Sequence, residues 1–265
     1  MKPTFEVLGS QVVATVRGDG PPVLLLHGNP DTKEIWDGVI DRVSKSRTCV
    51  APDLPGFGGS EIPVDHDFSL EAQARWVDAF ADAAKIDEPV TLVVHDVGGA
   101  HGFAWAVKHP ERVARIVVTN TAFSPEFRWH FWARVWRAPL LGELSMALMS
   151  YPLFARETKK SRRATDLEIR ESYDRITPRM KRGVLAWYRK MDPEVFEGWS
   201  KKLVAVVREK PCAVRWGDRD PYIPKRFADS FGTKDVKHYP ENGHWLLAER
   251  PDAIADAVLS LTADG

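Results

Sequence analysis

Three polar side chains follow apolar runs, where they could act together on a substrate. Asp96 comes directly after "VTLVVH" and leads into "VGGAHG", Asp220 stands in "WGDRDPYIP", and His244 stands in "ENGHW". Small residues such as Gly98 and Gly99 are needed where a sharp strand-to-helix turn exposes a reactive side chain. Since a carboxylate is ionised near neutral pH, Asp96 in that position could attack a saturated carbon and form an alkyl ester.

The elements that must position these residues follow from the hydrophobic pattern. The helical segments between the apolar runs include 70–86, whose apolar residues fall on one face, and "GAHGFAWAVKHPERV", which Pro110 stops. This alternation predicts an α/β fold with a mostly parallel sheet covered by helices on both faces. Ligands bind such sheets beyond the carboxyl ends of the strands, where the polar residues lie. The predicted strands are 22–28, 48–54, 90–96, 113–120 and 212–218.

The alternation stops in the middle of the chain. Residues 123–204 contain several helical segments rich in tryptophan, and this stretch is basic. We interpret it as a helical cap inserted into the core. The predicted domains are therefore a first core part at 1–122, the cap at 123–204 and a second core part at 205–265.

The motifs resemble those of the α/β-hydrolase fold superfamily. The resemblance covers nearly the whole chain and lies in "HGNP", "DLPGFGGS", "VVHDVGGAHGFAWAVKHPERV", "WGDRDPYIP" and "NGHW". Nucleophile, acid and histidine follow one another in the order of that superfamily. An Asp at the turn resembles the haloalkane dehalogenases and the epoxide hydrolases, which implies a hydrolase that attacks carbon.

The resemblance implies a catalytic triad and an oxyanion hole. Asp96 would be the nucleophile, and His244, held by Asp220, would take a proton from the water that cleaves the ester. Backbone N–H groups of Asn29 and Val97 would stabilise the oxyanion formed on the Asp96 carboxyl. Asp218 is the competing acid, but the family pattern favours Asp220.

The leaving group distinguishes the two activities, because a halide needs N–H donors whereas an epoxide oxygen needs an acid. Asn29 is similar to the halide-binding Asn of many haloalkane dehalogenases. Val97 departs from the pattern, since typical haloalkane dehalogenases have a Trp there whose indole N–H holds the halide. A cap residue such as Trp136 would have to replace that donor.

Two alternatives to a haloalkane dehalogenase stay open. Tyr188, in "LAWYRKM", lies in a segment similar to the one that carries a ring-opening Tyr in epoxide hydrolases. Those enzymes generally use a second cap Tyr, for which Tyr151 and Tyr173 are the candidates. The fold could also belong to a non-catalytic protein that binds a small ligand, although the complete triad favours an enzyme.

Composition restricts the partners. The 37 basic and 37 acidic residues balance, which gives no reason to expect nucleic acid or an anionic membrane as a partner. No apolar signal segment or membrane span is evident, and Cys49 and Cys212 fit buried reduced thiols. We therefore expect a cytoplasmic protein that acts on a small apolar substrate with water, and we expect no cofactor or metal.

Overall fold

A computed structural model describes residues 3–261. One sheet of eight strands runs in the order β1-β2-β4-β3-β5-β6-β7-β8. The pairs β1/β2 and β2/β4 are antiparallel, and all other pairs are parallel. The predicted α/β architecture is therefore confirmed. The strands are β1 (Thr4–Val7), β2 (Ser10–Arg17), β3 (Pro22–Leu26), β4 (Thr48–Pro52), β5 (Val90–His95), β6 (Val113–Thr119), β7 (Cys212–Gly217) and β8 (Asp235–Tyr239).

Helices cover both faces of this sheet. Two separate hydrophobic clusters form, one on each face, and the β5 side chains are divided between them. Short 3₁₀ turns at 33–36, 110–112, 193–196 and 225–231 complete the connections. The helices are α1 (Asp37–Val43), α2 (Leu70–Ala83), α3 (Val97–Lys108), α4 (Phe131–Arg137), α5 (Leu141–Ala147), α6 (Tyr151–Thr158), α7 (Asp166–Asp174), α8 (Pro178–Lys190), α9 (Trp199–Arg208), α10 (Leu246–Glu249) and α11 (Pro251–Ser260).

Helix α3 lies close against the sheet because its first turns are made of small residues. A Cβ atom at Gly98 would stand 2.3 Å from the carbonyl oxygen of Leu26, and one at Gly102 would stand 2.6 Å from the Val94 side chain. Both distances are below van der Waals contact. Glycine at these positions therefore lets α3 begin directly over the ends of β3 and β5.

Helices α4 to α8 follow β6 and precede the return of the chain to the sheet at β7. Two prolines of this stretch stand at the starts of helices. Pro152 and Pro178 each lie in a first helical turn, where the missing N–H has no partner to lose. Helix α9 packs against α3, which itself lies on the sheet. The division into 1–122, 123–204 and 205–265 remains our proposal.

Cys49 and Cys212 are both buried and free, as predicted. Within residues 3–261, no helix combines the length and the apolar composition that crossing a bilayer requires.

A buried ion pair fixes the loop that follows β4. Lys33 Nζ lies 2.7 Å from Asp53 Oδ2, and both side chains are almost completely buried. Asp53 also accepts hydrogen bonds from the backbone N–H groups of Lys33 and Gly59. Burial lowers the pKa of Lys33, but the charges and hydrogen bonds of Asp53 and Glu34 together outweigh this effect and raise the pKa. The lysine therefore stays charged, and it neutralises a carboxylate that has no access to solvent.

We expect Lys33→Met to destabilise the protein by about 3–5 kcal/mol, because it leaves the Asp53 carboxylate buried without its counter-charge. Urea unfolding followed by circular dichroism measures the change. Lys45→Met, at an exposed lysine of the same region, is the matched control and should stay within about 0.5 kcal/mol of wild type. Equal stability of the two variants would mean that the pair contributes nothing.

Candidate active site

Asp96 occupies a strained backbone position between β5 and α3. Its φ is 48° and its ψ is −124°, a left-handed φ that non-glycine residues rarely adopt. The backbone on both sides is held by hydrogen bonds: the Asp96 N–H donates to the Asn120 carbonyl at 3.1 Å, and the Thr121 hydroxyl donates to the Asp96 carbonyl at 2.7 Å. These contacts maintain the turn that presents the Asp96 side chain.

The Asp96 carboxyl accepts hydrogen bonds from two backbone N–H groups. Asn29 N lies 2.8 Å from Asp96 Oδ1, and the Val97 N–H also binds this carboxyl. The HGNP loop approaches closely because residue 28 has no side chain, since a Cβ at Gly28 would stand 2.4 Å from Asp96 Cβ. The structure thus brings together the two N–H groups that were expected to form the oxyanion hole.

His244 lies between the two carboxylates. Its Nδ1 is 2.7 Å from Asp220 Oδ2, and its Nε2 is 3.6 Å from Asp96 Oδ2. Asp218 instead pairs with His238 Nδ1 at 2.6 Å. The structure therefore places Asp220, and not Asp218, at His244.

Asp220 is itself fixed by several donors. Backbone N–H groups of Tyr222 and Ile223 bind its Oδ1 at 2.8 and 3.0 Å. The side-chain amide of Asn120 donates to its Oδ2 at 2.9 Å. Since these bonds satisfy the carboxylate in a buried position, Asp220 can orient the His244 ring.

The charges of this cluster shift the pKa values of its members. Burial raises the pKa of Asp96, against the opposing effects of the His244 charge and the two N–H groups. Burial alone would lower the pKa of His244. The carboxylates of Asp220, Asp96 and Asp31 outweigh burial and raise it to about 9. In the unliganded protein, His244 is therefore protonated near neutral pH, and it becomes a base only when a neighbouring negative charge is removed.

Two further histidines serve the backbone. His27 accepts a hydrogen bond from the Leu54 N–H at 3.0 Å and contacts the Gly28 carbonyl through its other nitrogen. His95 Nε2 lies 3.0 Å from the His244 carbonyl oxygen. Burial and the His244 charge lower the pKa of His95 well below its usual range. Both rings therefore hold backbone groups of the loops around the site.

A mainly apolar cavity of about 130 Å³ opens in front of Asp96 and His244. Asn29, Trp136 and Tyr188 all line it, so every side chain expected to assist the leaving group reaches the same space. The rings of Trp136 and Tyr188 are in edge contact, with centroids 5.0 Å apart. Burial, and then the Asp96 charge, raise the pKa of Tyr188 well above its usual range, so its hydroxyl stays a donor. The apolar wall includes Trp132, Met146, Met149, Phe154, Ile176 and Met180.

Two residues that sequence reasoning missed also line this cavity. Tyr222 follows the acid Asp220 in the loop after β7, and His130 precedes α4. Tyr151 and Tyr173, the candidates for a second donor, do not line this cavity. The Tyr151 hydroxyl donates to the Asp166 carbonyl, and the Tyr173 hydroxyl donates to the Met149 carbonyl. Tyr222 could have been suspected from its position two residues after the acid.

A second, smaller cavity of about 20 Å³ lies on the Val97 side of Asp96. Its wall includes Trp129, whose buried indole N–H has no hydrogen-bond partner in the part of the chain described. This volume is enough for one water molecule or a monatomic ion. Val97 offers no side-chain donor there.

The arrangement can perform a two-step displacement. A buried carboxylate with free access to an apolar cavity can attack carbon, and a histidine held by a second carboxylate can activate water. Among residues 3–261, no group of three His, Cys, Asp or Glu side chains could hold a metal ion.

Comparisons with known proteins agree with this geometry. The family model for the alpha/beta hydrolase fold matches residues 21–251. A haloalkane dehalogenase 2 of Mycobacterium bovis is 26% identical over 255 aligned residues, which cover 91% of this chain and 88% of that protein. A cis-3-alkyl-4-alkyloxetan-2-one decarboxylase of Xanthomonas campestris is also 26% identical, over 91% of this chain and 87% of its own. The crystal structure of haloalkane dehalogenase DbeA from Bradyrhizobium elkani superposes with a TM-score of 0.81 at 25% identity, covering 100% of this chain and 99% of DbeA.

The chain belongs to the α/β-hydrolase fold family. Within that fold it is a hydrolase similar to haloalkane dehalogenases.

The pKa of His244 leads to a pH prediction. The Asp31 carboxylate raises that pKa, so Asp31→Asn should lower it and leave more neutral His244 at a given acidic pH. The acid limb of kcat should therefore move to lower pH. Burial raises the pKa of Asp31 to about 6, so wild type and variant should converge below that pH, where the wild-type Asp31 is protonated and carries no more charge than the amide of the variant. Stopped-flow pH profiles of ester hydrolysis measure the shift.

Asp65→Asn, at an exposed carboxylate before α2, is the control and should leave the profile in place. An unchanged acid limb in Asp31→Asn would show that the Asp31 charge does not act on His244.

Proposed function

We propose that this hydrolase converts small halogenated alkanes to alcohols through an alkyl ester on Asp96. The observation that carries the proposal is the Asp96 carboxylate at the strained turn, bound by two N–H groups and 3.6 Å from His244 Nε2. The names of the relatives and the apolar cavity support a halogenated substrate. Water is the second substrate.

Each predicted site residue has a role in this scheme. Asp96 attacks the carbon that bears the halogen, and the halide leaves with the bonding electron pair. The ester removes the negative charge of Asp96, which lowers the pKa of His244 and turns it into a base. Since Asp220 holds its Nδ1, His244 takes a proton from water through Nε2. The N–H groups of Asn29 and Val97 then bind the oxyanion as the hydroxide attacks the ester carbonyl. Collapse of this intermediate breaks the bond between the carbonyl carbon and the alkoxy oxygen, the alcohol leaves with the proton held by His244, and the second proton of the water is released as the Asp96 carboxylate re-forms.

Side chains of the cavity assist the departure of the halide. In this proposal Asn29, Trp136 and Tyr188, which line the cavity together with Asp96, donate to the halide through their side-chain N–H and O–H groups. Together they replace the donor that Val97 lacks.

An epoxide hydrolase is the second candidate, because two phenols share the cavity with Asp96. Tyr188 and Tyr222 both line it, and burial raises the pKa of each, so both hydroxyls stay protonated. The Tyr222 hydroxyl lies 3.5 Å from Glu157 Oε1, a long contact that it would exchange for the alkoxide. A pair of hydroxyls is suited to an alkoxide that forms when an epoxide opens.

We expect the wild-type protein to release bromide from 1-bromohexane faster than it forms a diol from 1,2-epoxyhexane. Ion chromatography and gas chromatography measure the two products. A cis-3,4-dialkyloxetan-2-one completes the panel, since one relative is named for that substrate class. Diol as the main product would favour an epoxide hydrolase. If the protein turned over only the oxetanone and released carbon dioxide from it, neither a haloalkane dehalogenase nor an epoxide hydrolase would be supported.

Tyr188→Phe separates the two candidates further. The substitution should lower kcat/KM for an epoxide by roughly a hundredfold, because the alkoxide loses its proton donor. It should lower kcat/KM for 1-bromohexane by less than about tenfold. Steady-state kinetics on both substrates measure the ratio. Arg134→Ala, at an exposed residue of α4, is a control for changes in the cap. Equal losses of kcat/KM on both substrates would show that Tyr188 contributes only packing.

We also propose a cytoplasmic location. Its support is the pair of buried free thiols at Cys49 and Cys212, which matches a reducing compartment.

A further inference from the structure

His130 lies where the chain enters α4, and its two ring nitrogens have different environments. Nδ1 accepts a hydrogen bond from the backbone N–H of Ala133 at 3.3 Å, which makes His130 the N-cap of the helix. A backbone N–H can only donate, so Nδ1 carries no proton. The proton of the neutral ring is therefore on Nε2.

The ring of His130 stands between the two cavities at Asp96. It lines the larger cavity with Asp96 and His244, and it lines the smaller cavity with Asp96 and Val97. Its centroid is 5.0 Å from that of Tyr222, whose ring in turn is 5.2 Å from His244. Within residues 3–261, Nε2 makes no hydrogen bond. The cap and the aromatic contacts thus fix a ring whose N–H is still available.

The surroundings keep this ring neutral. Burial and then the charge of His244 lower the pKa of His130 to about 4, with Arg134 acting in the same direction. Asp220 and Glu157 oppose the shift without reversing it. At neutral pH the ring is therefore an N–H donor without charge, which would not compete with His244 for the Asp96 carboxylate.

We propose that His130 donates a hydrogen bond from Nε2 to the leaving group as the Asp96 ester forms. This inference rests on the proposed function. One Asp96 oxygen forms a bond to carbon, the carbon–halogen bond breaks, and the halide departs with the electron pair while His130 keeps its proton. His130 thereby supplies a donor on a side of the cavity where Val97 has only methyl groups.

The first test compares His130→Ser with His130→Asn. Both replacements are favourable N-caps and should preserve α4, but only Asn retains an N–H. For His130→Ser we expect kcat/KM to fall roughly ten- to a hundredfold on 1-chlorohexane and less than about threefold on 1-iodohexane, because iodide leaves readily and accepts hydrogen bonds weakly. His130→Asn should lie between wild type and His130→Ser. Equal losses on both haloalkanes would overturn the proposal, since a purely structural change does not distinguish leaving groups.

The second test needs no turnover. In wild type labelled with ¹⁵N-histidine, NMR should place the His130 proton on Nε2, and sodium bromide should shift that resonance. A proton on Nδ1, or an Nε2 resonance that saturating bromide does not move, would overturn the assignment. Failure to trap any ester on Asp96 would overturn the proposed function instead. The bromide titration would still decide whether His130 donates a hydrogen bond to an anion.

Discussion

His244→Phe should stop the reaction at the alkyl ester and lower turnover by roughly 10⁴- to 10⁶-fold, as expected when one member of a catalytic unit is removed. The displacement needs only the Asp96 carboxylate, whereas hydrolysis needs the base that Phe cannot supply. After incubation with 1-bromohexane, intact-mass spectrometry should show one hexyl group in place of a proton. Peptide mapping should locate that group on Asp96.

The same variant discriminates between the substrate classes, because 1,2-epoxyhexane would leave a hydroxyhexyl group. His238→Phe is the matched control, since this histidine pairs with Asp218 and lies outside the catalytic cluster. It should turn over normally and accumulate no adduct. Rapid turnover by His244→Phe itself would contradict the assignment of the base.

Asp96→Ala should abolish adduct formation, and it should lower turnover about as much as His244→Phe does. The first bond of the reaction forms at the Asp96 carboxylate, which the N–H groups of Asn29 and Val97 hold in place. Halide release by the purified variant gives the loss, and the double variant with His244→Phe should carry no hexyl group.

Asp218→Ala is the control, because it removes a carboxylate from the loop after β7 without touching His244. Its activity should remain close to that of wild type. An adduct in Asp96→Ala would falsify the mechanism, because the nucleophile would then be another residue.

The core of the fold could be read from the sequence because its strands are buried on both faces. Every side chain of β5 is buried, and such strands appear as continuous apolar runs. Asp96 was identifiable because it directly follows such a run. Strands β1, β2 and β8 were not predicted, since they lie at or next to the sheet edges and their burial alternates or is incomplete. Short alternating segments give a weaker signal than buried ones.

The cavity wall was less predictable than the triad. Trp136 and Tyr188 were expected near the leaving group and do line the cavity, but His130, Tyr222 and Trp129 were not expected there. Which face of a short cap helix points inward depends on how the helices pack on one another and on the core. That packing leaves no periodic signal over helices of seven or eight residues such as α4 and α6.

Because α4 to α8 are inserted between β6 and β7, the catalytic residues and much of the cavity wall come from different parts of the chain. Asp96, Asp220 and His244 lie in loops at the sheet, whereas much of the cavity wall comes from one continuous stretch of the chain. Recombination of that stretch between relatives could therefore give an old reaction a new choice of substrates. A change in the wall alters which substrate fits without changing Asp96, Asp220 or His244.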